Sequence, residues 1–254
     1  MSAQRVPVKP PRQVKYSSDV GTIKLMYAEK TGALTYVQNG GNQTAMDGGG
    51  VSLDTYVHAI YSLARQTTAK DVLMIGCGGG VLGTMLVRVG MKVTIVDIDK
   101  TSFTLARRHF HMPRDITCHV GDGLAHMQRT RKRYDVLVID AFIGEKIPKH
   151  LTGDAFCQAA RRCVRPGGAM FVNVCLDDRA DMTALKLAGR LKDNRWTVRL
   201  LDRPRLPARN AIIMAGDVGH LIEPRMTEIP ETEARRIRSE LGALRFRPVD
   251  GPEG

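Results

Sequence analysis

Aromatic residues are scarce in this chain. They form 5% of its 254 residues, with a single tryptophan, so Val, Ile, Leu, Ala and the 12 methionines must fill most of the core. No aromatic residues are interleaved with the basic runs in the way that base-stacking surfaces require. Long hydrophobic runs are missing too. The uncharged stretch from Val72 to Val87 falls short of the ~20 residues a membrane helix needs and is broken by glycines. The N-terminal MSAQRVPVKPPRQVKYSS has basic residues but no apolar run behind them, which argues against a secretory signal or an anchor and leads us to expect a cytoplasmic protein with no membrane partner. The five cysteines include no CxxC pair and sit among apolar neighbours, the pattern of reduced packing residues rather than of a disulfide or a metal site. Negative charge is also in deficit: 26 acidic against 38 basic residues give a net charge of +12. Such an excess favours weak binding to nucleic acid or other anions. It is scattered, however, over Arg5, Lys9, Arg12 and Lys15, over Arg129 to Arg133, and over Arg161, Arg162 and Arg165, which reads as solvated faces and a loose arm.

What is present is an ordinary globular composition, 43% hydrophobic and 25% charged, in a chain long enough for one sizeable core with a small appended module. Residues 1–18 are Pro-rich and basic and read as a flexible arm. Residues 19–66 hold short alternating strands punctuated by Thr31-Gly32 and Asn39-Gly40, a β-hairpin module, followed by a linking helix over about 53–65. Residues 67–218 change pattern. The apolar runs 72–75, 92–97, 116–120, 134–140 and 169–174 alternate with helical segments near 80–89, 100–110, 123–131, 151–164 and 180–193. Continuous apolar strands with intervening helices predict a mostly parallel sheet covered on both faces. Residues 196–202 and 209–216 predict an antiparallel hairpin at its edge. Residues 219–254 predict a polar helix, about 231–244, and a fraying tail.

Open α/β sheets bind ligands at the carboxyl ends of their strands. The first strand ends in Gly76-Cys77-Gly78-Gly79-Gly80, where glycines permit a sharp turn and close backbone approach. The second ends at Asp97, near the ~20-residue offset at which a carboxylate meets a ribose diol. Asp122, followed by Gly123, comes after the third strand and Asp140 ends the fourth. Each of the last two aspartates also suits a helix N-cap. Together the four tips predict an adenosine-type ligand. A dinucleotide fits less well, because the position that must be small for close helix packing is Val81.

The order G-x-G-x-G, VDID (96–99), GDG (121–123), YDVLVIDAF (134–142) and RPGG (165–168) resembles the Rossmann-like methyltransferase fold. Gly40-x-x-Gln43, Tyr56 at a helix start and the loop 140–156 narrow the resemblance to the spermidine synthase (polyamine aminopropyltransferase) family, over about residues 20–215. The resemblance implies an α/β sheet behind a small β module, and decarboxylated S-adenosylmethionine or S-adenosylmethionine as co-substrate, with no metal. It further implies a small amine or polyamine acceptor and a homodimer or homotetramer. It also implies that Gly76, Gly78, Gly80, Asp97, Asp122 and Gly123 hold the donor, that Gln43 and Tyr56 face the substrate, and that Asp140 is the base.

Three departures remove negative charge from such a site: Gly79 stands where the family has an amine-holding aspartate, Ile143 replaces a second loop acid, and His58 replaces a glutamate. Glu145 offers partial compensation, and His58 remains a substrate-side candidate. The expectation is an aminopropyl or related alkyl transferase. Methyl transfer on the same site and a non-catalytic basic nucleic-acid binder stay open as alternatives.

Overall fold

The computed structural model describes residues 12–203, 206–247 and 249. Two sheets build it. The first is a four-stranded antiparallel meander of β1 (Arg12–Ser18), β2 (Gly21–Ala28), β3 (Ala33–Gln38) and β4 (Gly41–Met46), each strand paired with the next. The turn between β3 and β4 has Asn39 at φ 50° and Gly40 at φ 86°, the left-handed pair that matches the twist of a tight hairpin. Arg12–Ser18 is a point of difference from the sequence reading, which gave it to a loose arm. Its alternation of half-buried and exposed residues lets it pair in full register with β2, from Arg12 opposite Tyr27 to Ser18 opposite Gly21. The rest of that arm, residues 1–11, lies outside the described residues.

Helix α1 (Thr55–Gln66) leads into the second sheet, of eight strands. Strands β5 (Asp71–Ile75), β6 (Lys92–Asp97), β7 (Thr117–Val120), β8 (Tyr134–Ile139) and β9 (Val164–Leu176) are mutually parallel. Strands β10 (Val198–Asp202), β11 (Arg209–Gly216) and β12 (Arg245–Arg247) extend it antiparallel. The spatial order is β12-β10-β11-β9-β8-β5-β6-β7. The expected strands and helices are all present, with helices α2 (Val81–Arg88), α3 (Lys100–His109), α4 (Gly123–Arg129), α5 (Asp154–Cys163) and α6 (Thr183–Asp193) between them. The expected edge hairpin β10–β11 is not the edge. Residues 245–247, assigned by sequence to a fraying tail, form β12 against β10, and the polar helix α7 (Ala234–Leu241) docks on α1 by burying Ile237 and Leu241.

Apolar residues fill both faces of the large sheet. One face is shared with the meander: Ile23, Leu25 and Tyr36 join Val81, Met85 and Phe110 in a single buried cluster, and the Tyr36 and Phe110 rings meet edge to face at 6.1 Å. The other face packs Leu137, Ile139 and Val172 against α5 and α6. Polar bonds fix the meander over the strand tips. Tyr36 bonds Ser102 at 3.0 Å, Gln38 donates to Asp99 at 3.0 Å, and the Gly79 amide donates to Thr44 Oγ1 at 2.9 Å. No helix among the described residues is long and apolar enough to cross a membrane, and the five cysteines are free thiols. Part of the basic excess is neutralised locally, since Arg165 pairs with Asp71 and Asp135 and Lys132 with Asp71.

Candidate active site

Strand order reverses between β5 and β8. From β5 the chain crosses to β6 and β7 on one side, then returns to β8 on the other, so the tips of β5 and β8 stand together with space above them. The Asp140 amide donates to the Ile75 carbonyl at 2.8 Å. Gly76, at φ 101°, runs so close that a Cβ there would lie 2.1 Å from the Asp140 carbonyl oxygen. Only glycine fits that position. Gly78 and Gly80 also take left-handed φ values, and at Gly123 a Cβ would meet Ile75 at 2.2 Å. The turn and the carboxylate loop are therefore locked together by backbone.

Above them lies a cleft of about 180 Å³ lined by Gly76, Gly78, Asp97, Asp122, Gly123 and Asp140. The structure thus brings the three aspartates onto one wall. Gly80 is not on that wall: it supports the turn from behind, where a Cβ would meet Met112 at 2.7 Å. Asp97 accepts from the Cys77 amide at 2.7 Å and the Asp99 amide at 2.8 Å. Burial nonetheless pushes its carboxyl up to about 6, against the lowering pull of those two bonds. Asp122 caps α4 by accepting from the Ala125 amide at 2.8 Å, and its second oxygen meets His150 Nε2 at 2.7 Å. It is cap and cleft wall at once.

Asp140 is held from two sides. Asn173 Nδ2 donates to one oxygen at 2.9 Å and the Tyr56 hydroxyl to the other at 3.3 Å. Burial raises its carboxyl to about 6, while these two bonds lower it. Tyr56 is pushed far up by burial, with the Asp140 charge next, so the hydroxyl remains a donor. Asn173 in turn accepts from Asn210 at 2.9 Å.

A second cavity, of about 430 Å³, begins at Tyr56 and Asn173 and is walled by α1, the β10–β11 hairpin and α7. Gln43, Phe142 and Gly144 line both spaces. Gln43 is pinned by donating to the Gly144 carbonyl at 3.0 Å, and it ties the meander to the 140–156 loop. Glu145 lines the second cavity, whereas Ile143 is exposed on the wall of the first.

His58 is a correction. It is fully buried, its Nε2 meets the Ser52 carbonyl at 2.8 Å, and it lines neither space. Two residues along a helix turn ~200°, so Tyr56 and His58 face opposite ways. Gly79 differs as well: a Cβ there would point into the Phe110 ring at 2.7 Å rather than into the cleft.

Several groups were not foreseen. Asp54 looks like a cap before α1 but makes no cap bond. Its carboxylate turns instead to the Ala45 amide at 2.8 Å and lines the second cavity. Burial raises it to about 6, with the charge of Asp140 adding to the rise. Asn173 could have been noticed as a lone amide in the apolar run 169–174. Arg236 and Glu240 of α7 carried no such signal.

Residues 72–168 match the methyltransferase domain family. A probable polyamine aminopropyl transferase of Bifidobacterium longum is 30% identical over 149 residues, 58% of this chain and 33% of that protein. A polyamine aminopropyltransferase of Vibrio vulnificus is 29% identical over 111 residues, 41% of this chain and 37% of that protein. The matched segments thus span little more than a third of these relatives' lengths. Among solved structures, a probable spermidine synthase from Corynebacterium glutamicum superposes with a TM-score of 0.76 at 21% identity, covering 93% of this chain and 91% of that one. Spermidine synthase from Thermotoga maritima gives 0.65 at 13% identity, with 93% of each chain covered. Strand order and these structural likenesses give the chain the methyltransferase fold behind an antiparallel meander, and its matched segments are similar in sequence to methyltransferase domains and polyamine aminopropyltransferases.

Proposed function

We propose that this chain is a transferase that moves an aminopropyl or related alkyl group from a sulfonium nucleoside, decarboxylated S-adenosylmethionine or a close analogue, to a small amine. One observation carries the reading: Asp140 lines the cleft on the glycine turn, and its two oxygens are held by Asn173 and Tyr56, which line the second cavity. The chain's own residues suit the donor. Backbone at Gly76 and Gly78 allows close approach, and Asp97, which lines the same cleft, would accept from a ribose diol. A primary amine has a pKa near ~10.4 and arrives protonated. Asp140 attracts the ammonium and takes its proton. The freed nitrogen lone pair attacks the carbon bonded to sulfur, the C–N bond forms, and the C–S electron pair returns to sulfur to leave a neutral thioether. Rigid placement of both partners by Gln43 and Tyr56 supplies the orientation.

Methyl transfer is the second reading. With Gly79 turned into Phe110, no acid stands at that point to hold the terminal amine of a decarboxylated donor. A donor that keeps its carboxylate meets less repulsion there. Calorimetry with the two donors, followed by product mass analysis on an amine panel, separates the readings. A gain of an aminopropyl unit supports the first, a gain of a methyl unit supports the second, and no binding of either donor overturns both.

A further inference from the structure

The second cavity does not carry the charge that a polycation would select. Its described lining has the carboxylates of Asp54, Glu145 and Glu240 against the guanidinium groups of Arg203, Arg209 and Arg236. A diamine acceptor carries two positive charges and would favour a lining with excess negative charge.

The charges also differ in how they are paired. Arg209 is closed against Asp202 at 2.7 Å, with its side chain 6% exposed. Arg236 is engaged by Glu233 at 2.7 Å and Glu240 at 3.0 Å. Arg203, at the turn end of the β10–β11 hairpin, has no carboxylate partner among the described residues. The Asp54 carboxylate receives a single hydrogen bond, from the Ala45 amide, and lies near enough to Asp140 for the two charges to oppose each other, with Arg236 exerting a smaller attraction. Among the described residues, the lining carboxylates without an ion pair are thus those of Asp54, near Asp140, and Glu145 on the 140–156 loop, and the guanidinium without one is that of Arg203 at the hairpin turn.

We infer that the acceptor is an amine bearing a carboxylate at its far end, with the ammonium received between Asp54 and Asp140 and the carboxylate facing Arg203. This rests on the transferase reading above and names its substrate class. Bond changes are those already described, because the distal carboxylate takes no part in them. Arg203 is a specificity residue and touches no reacting atom.

The test uses the full chain with each of the two donors and three acceptors: putrescine, 4-aminobutanoate and ornithine. Initial rates are read by product mass, and acceptor binding is read by calorimetry on the donor-saturated protein. The carboxylate-bearing acceptors should exceed putrescine at least tenfold in kcat/KM and in affinity. Arg203→Glu should raise KM for those acceptors about tenfold or more at nearly unchanged kcat, and should improve putrescine. Arg203→Ala should fall between. Putrescine preferred by the unaltered protein, or a ranking unmoved by Arg203→Glu, overturns the inference. Because affinity is measured apart from turnover, the two failures are distinct. Carboxylate preference in binding without product removes the transferase reading and keeps the charge assignment.

Discussion

Replacing Asp140 with asparagine should raise stability while abolishing turnover. The carboxyl is raised to about 6 in the folded chain, against ~3.9 for an unfolded aspartate, a gap of about two pH units worth a ceiling of about 3 kcal/mol. The carboxylate borders an open cleft, so solvent screening reduces this to about 1–2 kcal/mol. The sign follows from linkage. The folded state holds the proton more tightly, so the contribution is present below pH ~4 and is lost as pH rises through about 6. Asparagine carries no such dependence, and it keeps an oxygen for Asn173 to donate to while its amide can donate to the Tyr56 hydroxyl. Urea unfolding, followed by the fluorescence of the buried Trp196, should find the variant about 1–2 kcal/mol more stable at pH 7.5 and equal to the unaltered chain at pH 4. Turnover should fall by ~10²-fold or more. A variant no more stable at pH 7.5 would refute the burial argument, and one that keeps its rate would refute the role of base.

Gly76→Ala should cost at least ~2 kcal/mol and lower the urea midpoint, since it combines a φ of 101° with a methyl 2.1 Å from a carbonyl oxygen. Unchanged stability would mean that the two loops are not locked. His58→Ala should destabilise by roughly 1–3 kcal/mol by orphaning the Ser52 carbonyl, with kcat/KM kept. Burial also holds His58 below its usual pKa, so the unfolded chain protonates first and the stability His58 supplies is lost as pH falls through ~6.5. Thermal melts between pH 7.5 and 5 should be flatter in the variant. Asp122→Asn should keep the α4 cap within ~1 kcal/mol but weaken donor affinity several-fold by calorimetry. A fall in Tm with full affinity would assign Asp122 to the cap alone.

Much of the large sheet is legible because buried parallel strands read as unbroken apolar runs such as VLMI and YDVLVID, and because Asp97 and Asp140 interrupt that apolarity at the strand ends. Strand β1 is not legible: its sequence RQVKYSS is basic and polar, and its strand state comes from pairing with β2. The cleft on the glycine turn shows in the sequence because its residues lie at or just after strand ends. The second cavity does not, because it joins Asp54, Asn173, Arg203 and Glu240 from separate parts of the chain. Asp54 is hidden by its place before a helix, where aspartate is common for another reason. His58 is the converse case: spacing along α1 already placed it opposite Tyr56, and a family position overrode helical geometry.

The docking of α7 and β12 has an evolutionary consequence. The cleft proposed for the donor is lined mainly from residues 75–151 with a few from the meander, whereas the far wall of the second cavity comes from the hairpin and the last helix. Under the proposed function, mutations that drift through that late segment would retune which amine is accepted while leaving the glycine-turn cleft intact. On that reading, acceptor identity would diversify without change to the chemistry it serves.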